Sequence, residues 1–154
     1  MSPAEEHADE DMVAAMKLLR DNAGAWHVSL GGYSVWGSSA GGMIMSRWAA
    51  LDGPNSAKAS GFAEPAVVVN AYTPPQEITV SAALPPYFIT DAADDQTVSP
   101  AAVAQFAAAL KAAGGVVEFK RYPAGGHGFG TGAGTSASGW ADLAVAFWQA
   151  HLTG

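Results

Sequence analysis

The sequence predicts an α/β fold in which about four mostly parallel strands are flanked by helices. Helices and strands are predicted in the order helix, strand, helix, strand, strand, helix, strand, helix, and this alternation is typical of a parallel sheet. Residues 66–72 (AVVVNAY) form a continuous apolar run, as expected of a strand that is buried on both faces. With 154 residues and no internal linker, the chain is expected to fold as one domain over residues 1–154.

The first helix is predicted over residues 5–22, where apolar side chains recur at helical spacing, and Gly24 is expected to end it. Its early turns contain five carboxylates and His7. A cluster of this kind can hold a metal ion, but carboxylates at a helix start also interact favourably with the helix dipole. We therefore interpret the cluster as a solvated helix start and predict no metal site.

Local sequence patterns also predict the strands and the other three helices. Strands are predicted over residues 33–36, 66–72, 87–90 and 116–122, and further helices are predicted to begin near Ala40, at Ser99 and at Trp140. Ser99 is a favourable N-cap, and the proline that follows it suits the first helical position. In the last helix one face carries an apolar stripe that we interpret as core packing, namely Trp140, Leu143, Ala144, Phe147 and Trp148.

Charge and composition exclude several classes of partner and site. The net charge is −7 and no basic cluster is present, which argues against nucleic acid and anionic membranes as partners. The sequence has no Cys, so disulfides, thiol catalysis and thiolate metal sites are excluded. Because the N-terminus is acidic and lacks a basic region followed by an apolar one, we expect a protein that is cytoplasmic or already processed.

Residues 37–41 (GSSAG) fit the frame G-x-S-x-G of a nucleophile elbow, with Ser39 at the nucleophile position. A strand that turns abruptly into a helix forces its central residue into a strained conformation, and side chains two residues to either side would collide. We therefore expect the turn to require both Gly37 and Gly41. The helix after Ser39 would offer the free N–H of Ala40 to a developing oxyanion. A glycine-rich turn without chemistry is the alternative.

Further polar residues are predicted to lie at the same edge of the sheet. In open parallel sheets, ligands and catalytic groups collect at the carboxyl ends of the strands. His127 follows the last strand in a glycine-rich loop, while Asp91, Asp94 and Asp95 all follow the strand before it. The chain order Ser, Asp, His is that of an α/β-hydrolase triad. The residues alone leave open which of the three aspartates orients the imidazole.

At two motifs the chain resembles a known family. Residues 95–98 (DQTV) match a D-x-x-V loop, and residues 126–129 (GHGF) match a G-H-G-F loop, of α/β-hydrolase esterases and lipases. The resemblance is to members related to acetyl-xylan and feruloyl esterases and to the hormone-sensitive-lipase group. It implies that Asp95 is the acid, with Asp94 as second choice. It also implies a truncated α/β-hydrolase fold, because family members are usually nearly twice this length.

The predicted function is that of a serine carboxylesterase that hydrolyses short-chain esters, of acetyl to butyryl type, through an acyl-enzyme. Ser39 is the predicted nucleophile, His127 the general base and Asp95 the residue that holds the imidazole. We expect a small-molecule ester as substrate, no cofactor and no metal ion. A peptidase of the same fold is less favoured, since a small chain without a second domain offers little to select a peptide.

Three residues close to these motifs are predicted to contact the substrate, namely Trp36, Ser38 and Phe129. Family members take a second oxyanion donor from their first half, so with the N–H of Ala40 alone we expect weak activity. The elbow strand is expected to lie at an exposed sheet edge, which favours a homodimer. The competing interpretation is a catalytically inert, truncated hydrolase that acts as an interaction or scaffold domain.

Overall fold

Residues 2–152, which the computed structural model describes, form a four-stranded sheet flanked by four helices in the predicted order. The elements are α1 (Pro3–Trp26), β1 (Ser34–Ser38), α2 (Ala40–Trp48), β2 (Val67–Ala71), β3 (Tyr87–Ala92), α3 (Pro100–Ala112), β4 (Val117–Tyr122) and α4 (Trp140–Ala150). The strands are arranged across the sheet in chain order, and every neighbouring pair is parallel. The predicted α/β fold class is therefore confirmed.

The two central strands form the most buried part of the sheet. Every residue of β2 and β3 is buried, because helices cover both faces of these strands. One face packs against side chains of α1, α2 and α3, with Trp48 at its centre. The other face packs against α4 through Phe88 and Trp140. The carboxyl ends of all four strands consequently meet at one edge of a well-packed sheet.

Helix α1 is longer than predicted at both ends. Ser2 caps it, because the Ser2 hydroxyl accepts from the backbone N–H of Glu5 and the Glu5 carboxylate accepts from the backbone N–H of Ser2. The prediction that Gly24 ends the helix is wrong. The helix continues to Trp26 and is closed by His27 in the left-handed conformation, with a φ of 53°. A glycine inside a helix costs only about 1 kcal/mol relative to alanine, which the rest of the helix offsets.

The acidic start of α1 is solvated, as interpreted from the sequence. His7 is exposed and its Nδ1 lies 3.4 Å from a carboxylate oxygen of Glu10. Within the described residues, no group of three or more His, Asp or Glu side chains could hold a metal ion. Asp9 is the exception to solvation, since it is buried and its two carboxylate oxygens share the Nε–H of Arg47, at 2.9 and 2.7 Å. This pair ties α1 to α2.

The predicted cap of α3 is confirmed, and the predicted apolar face of α4 is confirmed with one exception. Ser99 caps α3 by accepting from the N–H of Ala102 at 3.4 Å. In α4, Trp140 and Ala144 are buried against the sheet, whereas Leu143 is 45% exposed. Because an α-helix turns once every 3.6 residues, Leu143 lies at the margin of the face that Trp140 and Ala144 define. Its assignment to the core was therefore wrong.

Strand β1 lies at one edge of the sheet. In the part of the chain that the structure describes, β1 pairs with β2 and with no other strand, and Trp36 on it is 37% exposed. The homodimer that we predict from this edge stays a prediction, which light scattering at micromolar concentration would test. No helix within residues 2–152 combines the length and the apolar character that a membrane crossing requires.

Candidate active site

Ser39 sits on a strained turn between β1 and α2. Its backbone has a φ of 48° and a ψ of −126°, a combination that non-glycine residues adopt at a cost of about 1–3 kcal/mol. The turn is held in place by a hydrogen bond from the Ser39 N–H to the carbonyl of Ala71, at 3.0 Å, at the end of the neighbouring strand. The predicted strain at the centre of the elbow is thus present.

The two glycines of the G-x-S-x-G frame play different parts in this turn. A Cβ atom added at Gly37 would lie 2.5 Å from the carbonyl oxygen of Gly41, so strand and helix approach too closely for any side chain. A Cβ atom added at Gly41 would meet nothing within 4 Å, and the expectation that the turn requires Gly41 is wrong. The close contact falls one residue later, since a Cβ at Gly42 would lie 2.0 Å from Oγ1 of Thr73.

His127 reaches Ser39 from the loop after β4. Its neighbours Gly126 and Gly128 have φ values of 63° and 76°, so the loop uses backbone conformations that favour glycine. One carboxylate oxygen of Asp94 accepts from the N–H groups of Gly125 and Gly126, at 3.0 and 2.8 Å. Asp94 therefore anchors the loop that carries the histidine.

Ser39, His127 and Asp95 form a continuous hydrogen-bonded chain. Nε2 of His127 lies 2.9 Å from Oγ of Ser39, and Nδ1 of the same ring lies 2.9 Å from Oδ2 of Asp95. The serine and the histidine are 88 residues apart in the sequence. The structure therefore brings together the three residues that the sequence nominated for catalysis, with the imidazole between a hydroxyl and a carboxylate.

The second oxygen of Asp95 is also occupied. It accepts from the backbone N–H groups of Thr97 and Val98, at 2.8 and 2.9 Å. Burial raises the pKa of Asp95, but the hydrogen bonds from Val98, His127 and Thr97, together with the His127 charge, outweigh it, and the net pKa lies below its ordinary value. A carboxylate held ionised in this way can orient an imidazole and stabilise its charged form.

The geometry distinguishes the three candidate aspartates. Asp91 is the last residue but one of β3, it is buried, and its carboxylate pairs with Arg121 on β4 at 2.5 Å. Asp94 binds the loop glycines, as described above. Among residues 2–152, Asp95 is the aspartate whose carboxylate contacts the imidazole of His127.

Ala40 is the first residue of α2, directly after the serine. The first N–H groups of a helix have no acceptor within the helix and carry a positive partial charge. Within the described residues, no hydrogen-bond acceptor is found for the N–H of Ala40. This N–H is therefore available to an anionic oxygen formed next to Ser39.

A cavity of about 330 Å³ opens beside the elbow. Its lining residues come from β1, from β2 and the residue after it, from the loop after β4 and from the start of α4, and they are Trp36, Gly37, Ser38, Val69, Tyr72, Gly130, Thr131, Trp140 and Ala141. Two of the three predicted substrate contacts, Trp36 and Ser38, thus face this space. The rings of Trp36 and Trp140 lie 6.1 Å apart and form one of its walls.

The third predicted substrate contact, Phe129, has a different position. Phe129 is only 8% exposed and packs edge to face against the rings of Tyr72, Tyr122 and Trp140. The aromatic side chain is drawn into the core because apolar residues from β2, β4 and α4 surround it. Phe129 therefore packs into the core next to the loop that carries His127. It does not line the cavity, in contrast to its predicted role as a substrate contact.

Sequence reasoning missed Tyr72, which follows β2. Its ring is buried and lies 5.2 Å from the imidazole of His127, centroid to centroid. The available signal was its place in the chain, since an aromatic residue ends the apolar run 66–72 directly before Thr73 and two prolines. The sequence pattern places Tyr72 in the predicted strand over residues 66–72 and indicates no role for it at the site.

The family of the chain is decided by its second half. The family model described as the prolyl oligopeptidase family matches residues 63–154. The chain belongs to the prolyl oligopeptidase family. The match covers Asp95 and His127 of this family member but not Ser39, because it begins after that residue. No curated protein matches the sequence.

Solved structures show that this prolyl oligopeptidase family member has the α/β-hydrolase fold. An α/β-hydrolase enzyme from a Medee basin deep-sea metagenome library is 24% identical, with a TM-score of 0.72, over 94% of this chain and 64% of that one. A sugar hydrolase from Lactococcus lactis is 17% identical, with a TM-score of 0.77, over 97% and 70%. An acetyl ester-xyloside bifunctional hydrolase from Caldicellulosiruptor lactoaceticus is 21% identical, with a TM-score of 0.72, over 92% and 65%.

The lengths of the compared proteins differ. The chain spans less than two thirds of the metagenome-derived hydrolase, while its own residues are almost entirely covered. The resemblance to a truncated α/β-hydrolase that the sequence motifs suggested is thereby confirmed at the level of the fold.

Proposed function

We propose that this chain is a serine hydrolase that cleaves carboxylic esters with short acyl groups. The observation that carries the proposal is the hydrogen-bonded chain from Ser39 through His127 to Asp95, with 2.9 Å at both links. This constellation activates a hydroxyl because the imidazole can take its proton while the carboxylate stabilises the resulting charge. The similarity to an acetyl ester-xyloside hydrolase supports an acetyl ester as the first substrate to test.

The proposed reaction has two halves. In the first, Oγ of Ser39 attacks the ester carbonyl carbon, its proton moves to Nε2 of His127, and the alcohol leaves with that proton as the acyl-enzyme forms. In the second, water attacks the acyl-enzyme and gives a proton to Nε2. The carboxylic acid then departs as Oγ recovers its proton. Asp95 keeps Nδ1 protonated throughout, and the N–H of Ala40 donates to the tetrahedral oxyanion.

The decisive experiment compares two neighbouring serines. We expect Ser39→Ala to abolish hydrolysis of p-nitrophenyl acetate and butyrate, because the variant lacks the hydroxyl that contacts His127 and that would form the acyl-enzyme. Ser38→Ala is the neighbouring comparison: Ser38 lines the cavity but its hydroxyl makes no hydrogen bond to His127 among the described residues, so we expect this variant to change KM and still to form the acyl-enzyme. Equal rates in the wild type and in Ser39→Ala would contradict the proposal and favour the inert scaffold.

The family assignment favours a second candidate, the cleavage of a prolyl peptide. The same nucleophile would serve both reactions, so the substrates themselves must be compared. A prolyl p-nitroanilide assayed beside the p-nitrophenyl esters distinguishes them, and we expect the esters to be turned over faster. A fluorophosphonate probe, which loses fluoride as it bonds to an activated Oγ, would report on Ser39 independently of either substrate.

A further inference from the structure

Tyr72 has an unusual backbone for a residue with a large side chain. Its φ is 41°, and the only other non-glycine residues with positive φ in the described part of the chain are His27 and Ser39. Such conformations cost about 1–3 kcal/mol and persist where the surroundings enforce them. Two of the three strained residues therefore lie together at the candidate active site.

The backbone around Tyr72 is tied to the strands that carry the nucleophile and the acid. The N–H of Tyr72 donates to the carbonyl of Thr90 on β3, at 2.7 Å, and Asp95 follows that strand. The preceding residue, Ala71, accepts from the N–H of Ser39, at 3.0 Å. The position of the Tyr72 ring is consequently fixed relative to both ends of the hydrogen-bonded chain.

The ring itself is clamped by the histidine loop. It packs edge to face against His127, at 5.2 Å and 72°, and against Phe129, at 4.6 Å and 74°. Among the aromatic contacts of residues 2–152, Tyr72 is the partner of the imidazole. Gly126 and Gly128 flank His127 and bring no side chains, so the loop alone gives the imidazole no lateral support.

We infer that Tyr72 is a positioning residue, whose ring holds the imidazole of His127 in the plane that serves Ser39 and Asp95 together. Both ring nitrogens are engaged at 2.9 Å, so a rotation of the imidazole would weaken both hydrogen bonds at once. The edge-to-face contact with the Tyr72 ring opposes that rotation. The inference rests on the proposed function for its catalytic consequence, whereas the positioning itself can be measured without substrate.

The test compares Tyr72→Leu with Tyr122→Leu. The Tyr122 ring also packs against Phe129, at 6.5 Å, but it makes no aromatic contact with His127 in the described residues, which makes it the matched control. We expect Tyr72→Leu to lower kcat by about 10²-fold with little change in KM, as small misplacements of catalytic groups do. Tyr72→Phe, which keeps the ring, and Tyr122→Leu are expected to stay within about threefold of wild type, well short of such a misplacement.

A second readout does not depend on turnover. The Nδ1 proton of His127, hydrogen-bonded to Asp95, gives a low-field proton resonance that we expect to weaken in Tyr72→Leu and to persist in Tyr122→Leu. An unchanged resonance and an unchanged kcat in Tyr72→Leu would overturn the inference. If wild type hydrolyses no ester, the proposed function fails, while the resonance still decides whether Tyr72 positions the imidazole.

A second variant, which removes the ring without adding backbone strain, keeps the inference testable if Tyr72→Leu does not fold. Tyr72→Gly suits a φ of 41° and also lacks the ring. If Tyr72→Leu does not fold, we expect Tyr72→Gly to show the same loss of kcat and of the low-field resonance. A folded Tyr72→Gly with the wild-type resonance would overturn the inference.

Discussion

Two buried aspartates near the end of β3, Asp91 and Asp95, lie four residues apart but bind different partners. Asp91, 1% exposed, pairs with the guanidinium of Arg121, which donates from both Nε and an Nη atom. Asp95, 5% exposed, accepts from two backbone N–H groups and faces an imidazole. Both side chains are aspartates in the same environment of the sheet, so burial does not distinguish them. Their partners do.

The difference between the partners is one of proton chemistry. Arginine stays protonated at any ordinary pH, and pairing with Asp91 raises the pKa of Arg121 further. That pair can only hold β3 to β4. The imidazole of His127 has two ring nitrogens, one of which contacts Asp95 while the other contacts Oγ of Ser39, so the pair of Asp95 and His127 can take part in a reaction. The comparison teaches that a buried carboxylate becomes a candidate catalytic group through a partner that can pass a proton on and that reaches a hydroxyl.

Asp95→Asn should give the largest effect. An amide cannot stabilise the imidazolium, and its NH₂ group can hold the ring in the wrong tautomer. We expect kcat for p-nitrophenyl acetate to fall by about 10³–10⁴-fold while the fold is retained. Circular dichroism checks the fold, and Asp91→Asn, judged on the fraction that folds, is the control from the other pair. A loss of less than tenfold would contradict the assigned role of Asp95.

Arg121→Met tests the pair of Asp91 and Arg121. We expect this substitution to lower the stability of the fold more than the rate of the reaction. It leaves the buried carboxylate of Asp91 without its partner. We expect the free energy of unfolding to fall by about 3 kcal/mol, the lower end of the range for broken buried pairs, because the Arg121 side chain is 33% exposed. Urea denaturation measures it.

The neighbouring Lys120→Met is the matched control for Arg121→Met. Lys120 pairs with Glu118 at 3.0 Å, but both side chains are well exposed. Such pairs contribute about 0–1 kcal/mol. If the two variants lost similar amounts of unfolding free energy, the burial of Asp91 would add nothing to the contribution of its pair with Arg121.

Asp94→Ala should have a smaller effect on catalysis. It removes the acceptor of two loop N–H groups, those of Gly125 and Gly126, and so loosens the loop that carries His127. We expect kcat to fall by about tenfold, equivalent to about 1.4 kcal/mol. Asp94→Asn keeps a side-chain oxygen acceptor and should stay close to wild type. If both variants match Asp95→Asn in their loss, the acid has been assigned to the wrong aspartate.

The smallest expected effect is on the pH dependence of stability, which compares wild type with Asp95→Asn. Because the pKa of Asp95 is lowered in the folded state, its ionised form stabilises the fold above its ordinary pKa of 3.8, and this stabilisation is lost as the pH falls through the lowered value. The stability difference between wild type and Asp95→Asn should therefore be largest above about pH 5 and shrink as the pH falls below 3.8. Urea titrations at several pH values measure it. For Ser38→Ala the difference should not depend on pH.

Local signals in the sequence were sufficient for the order of the elements and for much of the site. The apolar run of β2, the cap at Ser99 and the elbow frame each involve neighbours in the chain, whose geometry depends little on the remainder of the fold. The strain at Ser39 follows from the turn itself. The loop motif at His127 placed the imidazole at the correct edge for the same reason.

What the sequence determined by itself is thus the α/β alternation, the candidate nucleophile and a short set of partners for it. The tertiary structure decided which aspartate faces the imidazole, that Gly42 rather than Gly41 makes the close contact, and that Tyr72 lies against the imidazole while Phe129 packs against Tyr72. These are contacts between segments that lie far apart in the chain. They depend on how β2, β3 and the last loop pack side by side, and residue patterns within any one segment carry no information about that packing.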